Sequence, residues 1–182
     1  MKHYLLAILL FNFISLPCFS QNNDNERILS IKSMYKDVTL LEKSIDSAKQ
    51  CKTGKKINYD SFGNSDSEKY PFEQLASKCS FKNGYTTLTG NFSGYEWGDK
   101  TIFYYNENDL FFVFTEGGAE SCYSEYRIYY NTKGTPIKIL EKSNDCNGEH
   151  PTNNVEIMDK NEQKRIIDKI NKDHTDILEM LK

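Results

Sequence analysis

Thr101–Lys142 reads TIFYYNENDLFFVFTEGGAESCYSEYRIYYNTKGTPIKILEK. Aromatic and β-branched runs alternate in it with turn residues, and Pro136, at the start of the last run, is the only proline. That pattern predicts an antiparallel β-meander. The expected strands are Thr101–Tyr105, Leu110–Thr115, Ser124–Tyr130 and Ile137–Lys142. Asn106–Asp109 and Asn131–Thr135 are the turns, with Gly134 free to take positive φ, and Glu116–Ser121 is a longer connection. Upstream, Tyr85–Thr89 is a strand stopped by Gly90. Asn91–Lys100 is an irregular strand or loop around Phe92, Tyr95 and Trp97. Large rings fall on both faces of these strands, so the middle of the sheet needs a cover on each side or a partner on one.

Helical periodicity flanks the meander. Ile28, Ile31, Tyr35, Val38, Leu41, Ile45 and Ala48 recur at steps of three and four, predicting a helix over Glu26–Gln50 closed by Gly54. Pro71–Cys79 reads as a short second helix, with Pro71 in its first turn. Ile57–Tyr59 is a short strand between them. Near the C-terminus, Asp159 followed by Glu162 has the form of a capping box. Ile167, Ile170, His174, Ile177 and Leu181 then share a face, with Ile166 and Leu178 beside them. The expected architecture is α+β: an antiparallel meander of about four to five strands, with long N- and C-terminal helices packed on it and stapled by disulfides.

The first residues have a different character. Lys2 and His3 precede an uncharged run from Tyr4 to Leu16, and the chain turns polar after Ser20. This is the layout of a secretory signal peptide over residues 1–20, and its apolar run is too short to span a bilayer. Residues 21–25 are then a disordered leader and 26–182 a single domain. Lipid anchoring through Cys18 is the weaker variant, because Pro17 stands where such signals carry a small residue. The implied location is secreted or periplasmic, with no stable membrane span after cleavage.

Five cysteines are encoded. Loss of Cys18 leaves Cys51, Cys79, Cys122 and Cys146, an even set that in an exported chain points to disulfides. A turn centred near Lys133-Gly134 makes opposed residues on its two strands sum to about 267, and Cys122 with Cys146 falls within one residue of that. Cys51 then pairs with Cys79, joining two helix ends.

Composition excludes more than it selects. The formal charge of −3 and the lack of a basic stripe argue against nucleic-acid binding. No zinc knuckle, metalloprotease, nucleophile-elbow or phosphate-loop motif is present, so no metal, cofactor or catalytic residue is assigned. Carboxylates are numerous, and pairs such as Glu96 with Asp99, or Glu116 with Glu120, are acid/base candidates. The one tryptophan sits in Ser93-Gly94-Tyr95-Glu96-Trp97-Gly98-Asp99, where Tyr95, Glu96 and Trp97 form a candidate contact surface for a protein or carbohydrate. The expected function is that of an exported, monomeric, non-catalytic binding protein, an inhibitor or an envelope accessory. The alternatives are a small secreted carboxylate-dependent hydrolase and a structural envelope protein.

Overall fold

The computed structural model describes residues 18–44, 50–61, 69–81, 83–94, 96–144, 146 and 153–182. Residues 1–17 of the expected signal peptide, Tyr95, and Ile45 and Ala48 of the expected first helix lie outside them. Helix α1 (Cys18–Lys43) is followed by strands β1 (Gln50–Ser61), β2 (Lys69–Ser80), β3 (Tyr85–Ser93), β4 (Trp97–Asn106), β5 (Asp109–Ala119), β6 (Cys122–Tyr130), β7 (Pro136–Ser143) and β8 (Val155–Glu156). Helix α2 (Lys160–Met180) closes the chain. The strands form one antiparallel sheet in sequence order, β1 through β8. The α+β meander is therefore present, but with eight strands among the described residues rather than four or five.

The added strands have physical reasons. Residues 71–79, expected as a helix, run as β2, and 50–61, expected as a helix end with a short strand, run as β1. Phe72, Leu75, Ala76 and Cys79 fit a helical spacing, but so short a run does not separate helix from strand. Pro71 is tolerated because β2 pairs with β3 only from Glu73 onward, so at Pro71 one side of the strand needs no N–H donor. Cys51 and Cys79 are bonded as expected, but as directly opposed residues of β1 and β2 rather than at helix ends. Gly90 does not end β3, which continues to Ser93, and Asn91–Lys100 resolves into the β3–β4 hairpin. Helix α1 begins at Cys18, so the expected leader 21–25 is helical.

The β4–β5 and β6–β7 hairpins are closely matched, but Glu116–Ser121, expected as a longer connection, extends β5 to Ala119 and leaves a two-residue turn at Glu120-Ser121, because cross-strand pairing with β6 overrides the two glycines. Glu107 and Gly134 take positive φ in the β4–β5 and β6–β7 turns. In the latter, the Asn131 carboxamide oxygen accepts from the N–H groups of Lys133 and Thr135. The β6–β7 register sets Ile128 against Ile139 and Glu125 against Lys142, and the Cys122–Cys146 bond lies at its open end.

Each face of the sheet carries its own helix, which accounts for aromatics on both. On one face Ile166, Ile170, Ile177 and Leu181, from α2 and its cap, pack on Ala76, Leu88, Phe92, Phe103, Val113, Ile128, Tyr130 and Ile139. Asp159 caps α2 by accepting from the Glu162 N–H at 2.8 Å. Buried Asp173 accepts from the Thr101 hydroxyl and from Lys169, both at 3.0 Å. On the other face Ile31 and Val38 of α1, both fully buried, pack on Cys79, Phe81, Tyr104, Phe111, Phe112 and Tyr129. A bulge opposite Tyr104 and Tyr105 turns both Phe111 and Phe112 toward α1. Tyr35 meets Tyr104 and Phe112 edge-on, with ring centroids 5.3 and 5.2 Å apart. Arg27 donates to Asp109 at 2.7 Å and to the Tyr130 carbonyl at 3.1 Å, fixing α1 across the β4–β5 and β6–β7 ends.

Candidate functional site

Helix α1 covers only part of its face. Toward the β3–β4 and β5–β6 hairpins the same face opens into a cavity of about 950 Å³, and no described residue of α1 lines it. Its floor is sheet backbone at Gly98 and Gly118, which are paired across β4 and β5. A Cβ placed on Gly98 has no neighbour closer than the Phe92 carbonyl oxygen at 3.8 Å, so the space above Gly98 is open.

Strand register builds the walls. Lys100 opposes Glu116, Glu116 opposes Glu125, and Glu125 opposes Lys142. The result is a row Lys–Glu–Glu–Lys across four strands, with two carboxylates as direct cross-strand neighbours, an arrangement that costs energy in a plain sheet. The Tyr123 hydroxyl reaches both, at 3.0 Å from Glu125 Oε2 and 3.3 Å from Glu116 Oε2. It has one proton for two acceptors. Burial, and then the charges of Glu125 and Glu116, push the Tyr123 hydroxyl well above its ordinary pKa, so it stays protonated as a donor.

The four charges are not equally engaged. Glu125 is buried and ion-paired with Arg127 two residues along the strand. That pairing lacks hydrogen-bond geometry, so Glu125 Oε1 is buried without a donor. Glu116 faces the cavity, and its closest cation is Lys100 at 3.9 Å, beyond hydrogen-bond distance. Lys142 lines the cavity with no ion pair or hydrogen bond among the described residues, because the carboxylate opposite it is turned to Arg127 and Tyr123.

The rim is fixed by covalent and polar links. Asn144 accepts from the Tyr123 N–H and donates to the Ser121 carbonyl, both at 2.6 Å. The Ser121 hydroxyl donates to the Cys146 carbonyl at 2.5 Å. The Cys122–Cys146 bond ties the same corner.

The expected contact residues are placed elsewhere. Trp97 is half-buried on the α2 side, its ring centroid 4.9 Å from that of Phe72 and its indole over Gly94. It closes the sheet edge rather than standing free. Glu96 is exposed in the β3–β4 turn, and its carbonyl accepts from the Glu120 N–H at 3.3 Å. Of the acid pairs, Asp99 lies 3.4 Å from Lys169, while Glu96 is in the turn. Glu116 and Glu120 both line the cavity, but four residues apart on extended chain separates them by roughly 13 Å. Sequence reasoning passed over Tyr123, Glu125, Lys100 and Lys142. Hairpin register is the signal that finds them, since the two-residue β5–β6 turn at Glu120-Ser121 puts Glu116 opposite Glu125.

A second polar contact sits under α2. The Tyr105 hydroxyl and His174 Nε2 are 2.8 Å apart, beside a pocket of about 190 Å³ that Lys78 and Glu107 also line. Burial lowers the His174 pKa and pushes the Tyr105 hydroxyl up to about 12. Among the described residues no group of three or more His, Cys, Asp or Glu is arranged to hold a metal ion, and no helix is long and apolar enough to cross a membrane. Comparison with protein-family models, curated proteins and solved structures finds no match.

Proposed function

We propose that the protein is an exported, single-domain binding protein, with residues 1–20 removed as a signal peptide, and that its ligand sits on the half of the sheet that α1 leaves open. The observation that carries this reading is the cavity of about 950 Å³, floored by glycine backbone and walled by Lys100, Glu116, Tyr123 and Lys142. Its volume lies in the range of small-ligand sites, and polar groups of both signs converge in it. The two disulfides support the export reading, because such bonds persist in oxidising compartments. A hydrolytic reading is weaker. Two-carboxylate catalysis needs both acids flanking the scissile bond, whereas Glu116 lines the cavity and Glu125 is buried beside it, held by Arg127.

The test is a thermal-shift screen of the disulfide-bonded protein against a panel of short peptides, amino acids and oligosaccharides, run beside Gly98→Trp. The indole has open space to enter at Gly98 and covers the glycine floor of the cavity. Panel members that stabilise the wild type should lose their effect on Gly98→Trp, while its unliganded melting temperature stays close to that of the wild type. Hits retained in full by Gly98→Trp, or a panel with none, would overturn the reading.

A further inference from the structure

Resting on that reading, we infer that the ligand is a short zwitterionic peptide, its ammonium group held by Glu116 and its terminal carboxylate by Lys142. The charge pattern carries the argument. A cavity for a simple anion is not expected to set two glutamates in the middle of its row, nor one for a simple cation to set lysines at both ends. A ligand with separated charges of opposite sign matches both. Within the row, Glu116 is the carboxylate that lines the cavity with spare acceptor capacity: it shares one phenol proton with Glu125, and its lysine is 3.9 Å away. Lys142 is the cavity cation without a partner among the described residues, although Glu125 stands opposite it in register.

Spacing sets the length of the peptide. Glu116 is on β5 and Lys142 on β7, two strand spacings apart, or roughly 10 Å at the backbone. An extended tripeptide at about 3.3 Å per residue spans the same distance. The path between them passes over Glu125, buried at the centre of the row, and beside the Tyr123 ring, which offers apolar surface to peptide side chains. Lys100, 3.9 Å from Glu116 and not hydrogen-bonded to it, then gives way to the stronger, hydrogen-bonded ammonium of the ligand.

Calorimetric titration with trialanine and trileucine tests the inference, each peptide also in N-acetylated and C-amidated form. The protein is the disulfide-bonded wild type, Glu116→Gln and Lys142→Gln, with melting temperatures confirming that each variant is folded. The free peptides should bind the wild type, and each cap should weaken binding about tenfold or more. N-acetylation should have little further effect on Glu116→Gln, and C-amidation little further effect on Lys142→Gln. No binding of either free peptide, caps without effect on the wild type, or caps that weaken the matched variant as strongly as the wild type would each overturn it. A panel hit of another class, such as an oligosaccharide, that is abolished by Gly98→Trp would leave the site standing and remove the peptide. Free alanine binding as tightly as trialanine would contradict the assigned span.

Discussion

Gly90 offers a sharp test of how α2 is seated on the sheet. A Cβ at this position falls 2.5 Å from Ile177 Cδ1, 2.6 Å from Ile177 Cγ1 and 2.8 Å from Phe92 Cε2. Carbon–carbon contacts are optimal at about 3.5–4.0 Å, so the overlap is roughly 1 Å on several atoms at once. Neither neighbour can swing into water, since Ile177 is 0% and Phe92 6% exposed. Overpacking of this kind costs about 1–3 kcal/mol, against which alanine regains roughly 0.5–1 kcal/mol over glycine within a strand. Gly90→Ala should therefore destabilise by about 1–2 kcal/mol. Ile177→Ala should cost about 2–5 kcal/mol by emptying a fully buried site. In the double variant the new methyl enters the space that Ile177 vacated. Gly90→Ala should then cost clearly less on the Ile177→Ala background, where only the Phe92 contact remains, and the two changes should be non-additive by about 1 kcal/mol. Urea unfolding at constant m-value measures all four corners of the cycle. Equal cost of Gly90→Ala on both backgrounds would mean that Ile177 does not rest on Gly90, and the α2 packing described here would be wrong.

Other expectations concern the polar contact under α2 and the disulfides. Burial holds the folded pKa of His174 below its unfolded value, so the unfolded chain takes up the proton first as pH falls. The stability tied to His174 is complete above about pH 6.5 and is lost as pH drops through the lowered folded value. Denaturant unfolding between pH 7.5 and 5 should show this slope, and His174→Gln should flatten it; an unchanged slope would assign the effect to other groups. The disulfides close loops of 28 and 24 residues, so paired Cys→Ser replacement of either bond should cost about 3.5 kcal/mol in the chain-entropy model. Removal of Cys122–Cys146 should in addition weaken ligand binding, because that bond braces the cavity rim. Removal of Cys51–Cys79, which lies on the β1–β2 side, should leave binding intact; equal effects on binding would detach the site from this corner.

How far the fold was legible depended on whether local signals were contested. The β4–β5 and β6–β7 hairpins were readable because aromatic runs and turn residues agree there, down to the register that opposes Glu125 and Lys142, whereas the β5–β6 turn was hidden in the glycine-rich Glu116–Ser121 stretch. The Asp159 cap and the Ile170, Ile177 and Leu181 positions of the α2 stripe were readable for the same reason, with Ile166 rather than Ile167 taking the buried place in the first turns. Strands β1 and β2 were not. Their polar, lysine-rich sequence and Pro71 mimic a helix end and a helix start, and only pairing with each other and with β3 decides the matter. The long-range placement of α1 was also hidden, since periodicity gives a helix its buried stripe but not the stretch of sheet it covers. The site followed from that hidden fact. Trp97 drew attention as the only tryptophan, yet its ring is spent on Phe72 and the sheet edge. The cavity groups are ordinary Lys, Glu and Tyr residues, and they become a constellation only when hairpin register lines them up beyond the edge of α1.

The central claim is that the open half of the α1 face is where the protein binds its ligand. A ¹⁵N–¹H titration of the disulfide-bonded protein with the tightest-binding member of the panel tests it most directly. The account predicts the largest shift changes at Gly98, Lys100, Glu116, Gly118, Tyr123 and Lys142, with little change at Trp97 and Phe72 on the opposite face. Changes centred on Trp97 and Phe72, or running along the outer side of α1, would contradict it.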